Sequence, residues 1–266
     1  MFIIELLIRT CLETLYLTGI IILAGLLLGL LQNSATQNFQ RSLGNNAVMV
    51  TGFIGTPIHE LSHAFCAIIF RHKITGIKLF QRPDENGVMG YVEHSYNKNS
   101  IYQQIGNFFI GIAPIFGGIL AIIGLMRLLV PQAFEMFFKI LVDSVNFETF
   151  NQVTLEGIAN AYLGLLKLIF SLENFQNLYF YIFLFVAICI SSHMSLSPAD
   201  IKGAFKGLVT IFLFLLIFNA LGLSQYIVAL DIIKYNVLIT GFLMITVIFS
   251  VITYLISLIS LIFARR

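Results

Sequence analysis

AVMVTGFIGTPIHELSHAFCAIIF, residues 47–70, is apolar at both ends and carries His59, Glu60 and His63 in its middle. Its length is that of a bilayer-crossing helix, which needs about 20 mostly apolar residues. Ionisable groups at membrane depth are costly, so they mark a functional site before they mark packing. On a helix, positions i and i+4 share a face, which puts His59 and His63 side by side. Two imidazoles on one face can grip a single metal ion. Glu60, next to them, is placed to take a proton from a water whose pKa the metal lowers to about 7. Two imidazoles, a carboxylate and one open position suit Zn2+. Pro57 is compatible with a first helical turn or a kink, an irregular point where water can enter.

The rest of the chain supports a membrane setting. Of 266 residues, 58% are hydrophobic and 11% charged, against about 25% charged in soluble domains. The mean hydropathy is +0.93. A net charge of +2, with no basic run interleaved with aromatics, argues against nucleic acid as a partner. Cys11, Cys66 and Cys189 stand alone in apolar segments and read as small buried hydrophobes. Glu5, Arg9 and Glu13 do not make a basic leader, so the apolar run that follows reads as a retained helix.

Five further segments read as spans: 12–31, 105–130, 177–195, 204–223 and 237–263. The fold expected is therefore an all-α membrane protein of about six transmembrane helices. A small membrane-associated β-hairpin joins them: ITGIKLF (74–80) alternates, Pro83-Asp84-Glu85-Asn86-Gly87 supplies turn chemistry, and VMGYVEH (88–94) is extended again. The stretch 131–176 mixes apolar and charged residues and reads as two amphipathic helices on the surface. Arg41, Arg127, Lys139, Lys167 and Lys234 fall outside if the N-terminus is inside, and the other ten of the 15 Lys and Arg fall inside. That bias predicts both termini in the cytoplasm of an inner or plasma membrane. The organisation expected is an N-terminal helix and loop (1–46), a core (47–215) and a C-terminal transmembrane region (216–266).

A catalytic zinc needs a third protein ligand. Asp200, in SLSPADIKGA, is the best candidate; otherwise it is an ordinary helix-start acid with Ser197 as its cap. His193 is the rival, either as a ligand or as a contact to substrate or oxyanion. His94 and Glu93 read as polar loop residues, and His72 as interfacial.

These elements, in this order, resemble the site-2 protease family of intramembrane zinc metalloproteases. They are His59-Glu60-x-x-His63 on a membrane helix, a short polar hairpin, GIAPIFGG (111–118) opening the next span, and Pro198-Ala-Asp200 in a later one. The resemblance covers about 47–215. It implies zinc on His59, His63 and Asp200, Glu60 as general base, and cleavage of a partner's transmembrane segment near the cytoplasmic face. Here the Asp is followed by Ile-Lys-Gly, and Ser191, Ser192 or His193 stands where the family carries an Asn. The prenyl-protein-processing class shares only the HExxH, since no ExxxD follows His63. A non-proteolytic metal-binding or transport protein could use the same His/Asp cluster, and an inactive homologue could serve as a membrane partner.

Overall fold

The computed structural model describes residues 2–84, 87–223 and 229–264. Glu85 and Asn86 of the expected turn, and the expected inside charges Arg265 and Arg266, lie outside the described residues. The structure is 80% helical with one small antiparallel sheet. In order, the elements are α1 (Phe2–Leu43), α2 (Asn45–Ile69), β1 (Lys73–Lys78), β2 (Tyr91–Ser95), α3 (Ile101–Leu129), α4 (Pro131–Asp143), α5 (Gln152–Ile169), α6 (Leu172–Phe175), α7 (Leu178–Ser191), α8 (Pro198–Ala220) and α9 (Ala229–Ala264).

Among the described residues, five helices are long and apolar enough to cross a membrane: Ile3–Leu43, Ile101–Leu129, Gln152–Phe175, Pro198–Ala220 and Leu230–Ala264. That is the make-up of a multi-pass membrane protein. Their membership differs from the expectation: α2, the expected span at 47–70, is not among them, since His59, Glu60 and His63 in its middle lower its hydropathy. The expected span at 12–31 is the middle of a 42-residue helix that continues to Leu43, where Gly44, at φ 75°, turns the chain into α2. The expected span at 177–195 is the 14-residue α7, about 21 Å long against a hydrocarbon layer of about 30 Å. The stretch 131–176 does form two helices, α4 and α5, but the second, continued by α6, is long and apolar enough to cross. Its acids Glu156 and Glu173 sit near the ends, and Ile158, Leu165 and Ile169 pack into the core.

α3 is the central pillar, packed against α2, α4, α7 and α8. Its Ile112, Ile115, Ile122 and Met126 share a core with Phe137 of α4, Phe180 and Phe183 of α7 and Phe249 of α9. Phe183 and Phe249 meet edge to face, with ring centres 5.7 Å apart.

α1 and α9 are zipped together by polar side chains. Asn236 donates to the Tyr16 carbonyl at 2.9 Å and Tyr235 to that of Leu17 at 3.1 Å. Further along, Asn38 donates to Ser257 at 3.1 Å, and the Ser42 and Ser260 hydroxyls meet at 2.9 Å. Both helices advance together along these pairs, so they run parallel. The start of α1 and the end of α9 therefore lie at opposite ends of the bundle. Lys234, expected on the opposite side from Arg9, lies in the same half of the bundle as Arg9.

α8 runs the other way. Its Asn219 donates to Thr10 and Glu13 of α1 at 3.0 and 2.6 Å. Its first turn, at Ile201, lies beside Gly25 and Leu26 of α1. α8 thus begins at about mid-height of the bundle.

The hairpin pairs Lys73 with Ser95 through Lys78 with Tyr91, with an irregularity between Ile74 and Gly76. Before it, α2 closes in a Schellman turn: His72 N–H donates to the Ala67 carbonyl at 2.8 Å and Arg71 N–H to that of Ile68 at 3.0 Å. Arg71 takes the left-handed conformation at φ 57°.

Candidate metal centre

Local rules build the first half of the site. His59 and His63 lie one turn apart on α2, and their rings meet with Nε2 atoms 3.1 Å apart. Each ring is fixed by a bond from its other nitrogen. His59 Nδ1 lies 2.7 Å from the His193 carbonyl oxygen, and His63 Nδ1 lies 2.7 Å from that of Ile110. A carbonyl only accepts, so each Nδ1 carries the proton and each Nε2 presents a lone pair.

The third group comes from the start of α8. Ser197 caps that helix, Pro198 occupies its first position, and Asp200 completes a capping box. Ser197 N–H donates to Asp200 Oδ2 at 2.8 Å, and Asp200 N–H donates to Ser197 Oγ at 3.2 Å. The cap reading of Asp200 is realised, and the cap holds the carboxylate where it faces the histidines. Asp200 Oδ1 is 3.2 Å from His63 Nε2, and Oδ2 is 3.8 Å from His59 Nε2.

Three acceptors thus converge, their ligand atoms all within 4.8 Å of one another. With both imidazole protons already given to carbonyls, none of the three has a donor for the others. A cation between them satisfies all three, and the His59/His63/Asp200 group could hold a metal ion. Carbonyls that orient ligand imidazoles are the usual outer support of such a site.

Two close approaches bring these pieces together. A side-chain carbon on Gly111 of α3 would come within 2.5 Å of the Asp200 carbonyl oxygen and 2.8 Å of Ala204 Cβ. One on Gly55 of α2 would lie 2.8 Å from His193 Cβ and strike the Cys189 carbonyl. Only glycine lets α8 and the end of α7 come that near.

The group opens on a cavity of about 490 Å³. Glu60, 6% exposed, lines it beside the histidines. Thr56, one turn before Glu60, has a buried hydroxyl with no partner among the described residues. The hairpin supplies Gly90, Val92 and His94, and α3 supplies Asn107 and Ile110. A larger cavity, about 660 Å³, lies between α1, α5 and α9. It is lined mainly by apolar residues with the Arg9–Glu13 ion pair at 3.0 Å, and among the described residues it carries no cluster of three metal-type ligands.

His59, Glu60, His63 and Asp200, all singled out in the sequence, are brought together. The His193 ring is not. It lies with Nδ1 3.2 Å from the Cys189 carbonyl and 3.1 Å from Ser192 Oγ, and it does not line the cavity. His193 serves the site through its backbone carbonyl, under His59. Ser191 and Ser192 bond back to the carbonyls of Ile188 and Cys189.

His94, read as a loop residue, lies in the cavity wall. The signal for it is the alternation of Gly90, Val92 and His94 on one face of the strand.

Comparison with known proteins finds no matching family, no matching curated sequence and no matching solved structure.

Proposed function

We propose that this chain is a zinc-dependent intramembrane protease of the site-2 type, an integral protein of an inner or plasma membrane that hydrolyses peptide bonds of membrane-embedded protein segments. The observation that carries this reading is the convergence of three metal-type acceptors beside Glu60, in one cavity, at mid-height of an apolar helical bundle. Two core histidines kept for packing would not need a carboxylate aimed at both. The hairpin face carries Arg71, Lys73, Lys78, Arg82 and Lys98, so we take it, with the start of α1, as cytoplasmic. Cleavage then occurs from that side.

His59, His63 and Asp200 hold the ion, with the imidazoles kept in register by the His193 and Ile110 carbonyls. A zinc ion on these atoms supplies Lewis acidity, polarising the scissile carbonyl and lowering the pKa of a water to about 7. Glu60 accepts the proton of the attacking water as the C–O bond forms. It then returns that proton to the amide nitrogen as the C–N bond breaks. A helical substrate hides its carbonyls, so it must enter extended. The edge of Gly90–Val92 not paired with β1, in the cavity wall, can hold such a segment by main-chain hydrogen bonds.

The test is zinc per purified chain by elemental analysis, with cleavage of a transmembrane peptide in proteoliposomes. The expected result is about one zinc per chain, and cleavage that Glu60→Gln abolishes without loss of zinc. A chain that holds no metal after reconstitution sinks the reading. A transporter would not separate metal from turnover at Glu60.

A further inference from the structure

The hairpin carries a second histidine pair that the metal centre does not use. His72, 5% exposed, follows α2, and His94 sits on β2; their Nδ1 atoms are 3.0 Å apart. His72 Nε2 lies 2.8 Å from the Gln103 carbonyl oxygen, and Tyr96 stacks on the ring with centres 5.0 Å apart. These contacts fix every proton in the pair. The carbonyl only accepts, so His72 Nε2 carries hydrogen and His72 Nδ1 is a lone pair. His94 Nδ1 must then donate, which leaves His94 Nε2 as an acceptor. Burial lowers the pKa of both rings, which keeps the pair neutral and this arrangement in place at neutral pH.

His94 lines the metal cavity with its Nδ1 edge turned to His72. Its Nε2 edge has no protein partner among the described residues. The line of bonds ends on a backbone carbonyl, which cannot pass a proton on, so the pair orients and does not relay. The cavity's other polar side chains include Glu60 and the hydroxyls of Tyr91 and Ser197, while His59, His63 and Asp200 belong to the metal group. Its one amide donor, Asn107, already leans on the Gln103 and Gln104 carbonyls at 3.4 and 3.3 Å. The His94 Nε2 is thus an acceptor in the cavity wall that none of these side chains engages, and it calls for a ligand with N–H groups, which an extended polypeptide offers.

We propose that His94, locked by the buried His72, is a substrate-contact residue whose Nε2 accepts a hydrogen bond from a backbone N–H of the bound polypeptide. The inference rests on the peptide-hydrolysis reading and adds a specificity element to it. His72 acts through His94 and is a positioning residue.

The experiment measures zinc content, kcat and KM on a transmembrane peptide in proteoliposomes for wild type, His94→Phe, His94→Gln and His72→Phe. A contact made equally to bound substrate and transition state shows in KM. The expected result for His94→Phe is a KM raised about tenfold, with kcat and zinc unchanged. Gln, which can offer an acceptor oxygen, recovers part of the loss. His72→Phe shifts KM in the same direction by less. Unchanged kinetics in His94→Phe overturn this inference and leave the protease reading standing. Loss of zinc from both His94 variants also overturns it, by making the ring a support of the metal centre. A zinc-loaded wild type that cleaves nothing overturns both.

Discussion

The protein holds two histidine pairs at nearly the same separation, and they are opposite devices. His59 and His63 meet through Nε2 at 3.1 Å, and His72 and His94 meet through Nδ1 at 3.0 Å. In the first pair two carbonyls, from His193 and Ile110, take both Nδ1 protons. Neither neutral ring has anything to give the other, and a cation between them and Asp200 would satisfy all three. In the second pair one carbonyl, from Gln103, takes one proton, and the remaining N–H satisfies the facing nitrogen. The count of carbonyls around a pair, more than its spacing, decides whether it waits for a metal or locks itself.

That comparison can be broken at several points. The largest effect expected is from Glu60→Gln, which leaves the three acceptors in place and removes the proton carrier. Cleavage should fall about a thousandfold with zinc content unchanged; parallel loss of zinc would mean that Glu60 is itself a ligand. Asp200→Ala leaves the first pair without its anion, and zinc affinity measured by competition with a chelator should weaken about a hundredfold or more. The same assay on His72→Phe should show no change, which is the sharpest separation of the two pairs.

A smaller effect is expected where the backbone is crowded. Gly111→Ala puts a carbon against the Asp200 carbonyl and Ala204. Overpacking of this kind costs about 1–3 kcal/mol, and a lowered Tm with weakened zinc binding should report it. An unchanged Tm would mean that α8 can shift without cost to the site.

The smallest effect expected concerns pH. Burial holds the His72 and His94 pKa below the usual 6.5. A lowered folded-state pKa means that the unfolded chain binds protons first, so the pair's contribution is full above about 6.5 and is lost as pH falls from there to the folded-state value. Protection of the strand amides in 73–78 and 91–95, taken relative to the intrinsic exchange rate at each pH, should fall from pH 7.5 to pH 5, and His72→Phe should flatten that response.

The first pair was legible because its geometry is local: a spacing of four on an apolar helix needs no knowledge of the fold. Asp200 could be found because few acids sit near an apolar span. The hairpin showed in its alternation. The same alternation puts His94 on one face of the strand with Gly90 and Val92, but that this face meets the metal cavity depends on the hairpin lying across α2, which no nearby residue encodes. The service of His193 was hidden for another reason, because any residue supplies a carbonyl. The length of α1 was misread from its polar stretch QNSATQNFQRSLGNN (32–46). Those groups read as loop until Asn38 and Ser42 find Ser257 and Ser260. The charge reading also set Lys234 apart from Arg9, since it took no account of how α9 lies along α1.

That seam also sets a timetable. Its four contacts join residues 218 to 220 positions apart. A ribosome adding about 5–20 residues per second takes roughly ten to forty seconds to cover that distance. Meanwhile Ser42 can bond back to the Asn38 carbonyl, as it still does at 2.8 Å, while the Asn38 amide waits for Ser257. The helix made first is thus the last to be completed, and a nascent chain stalled before α9 would leave a carboxamide facing lipid.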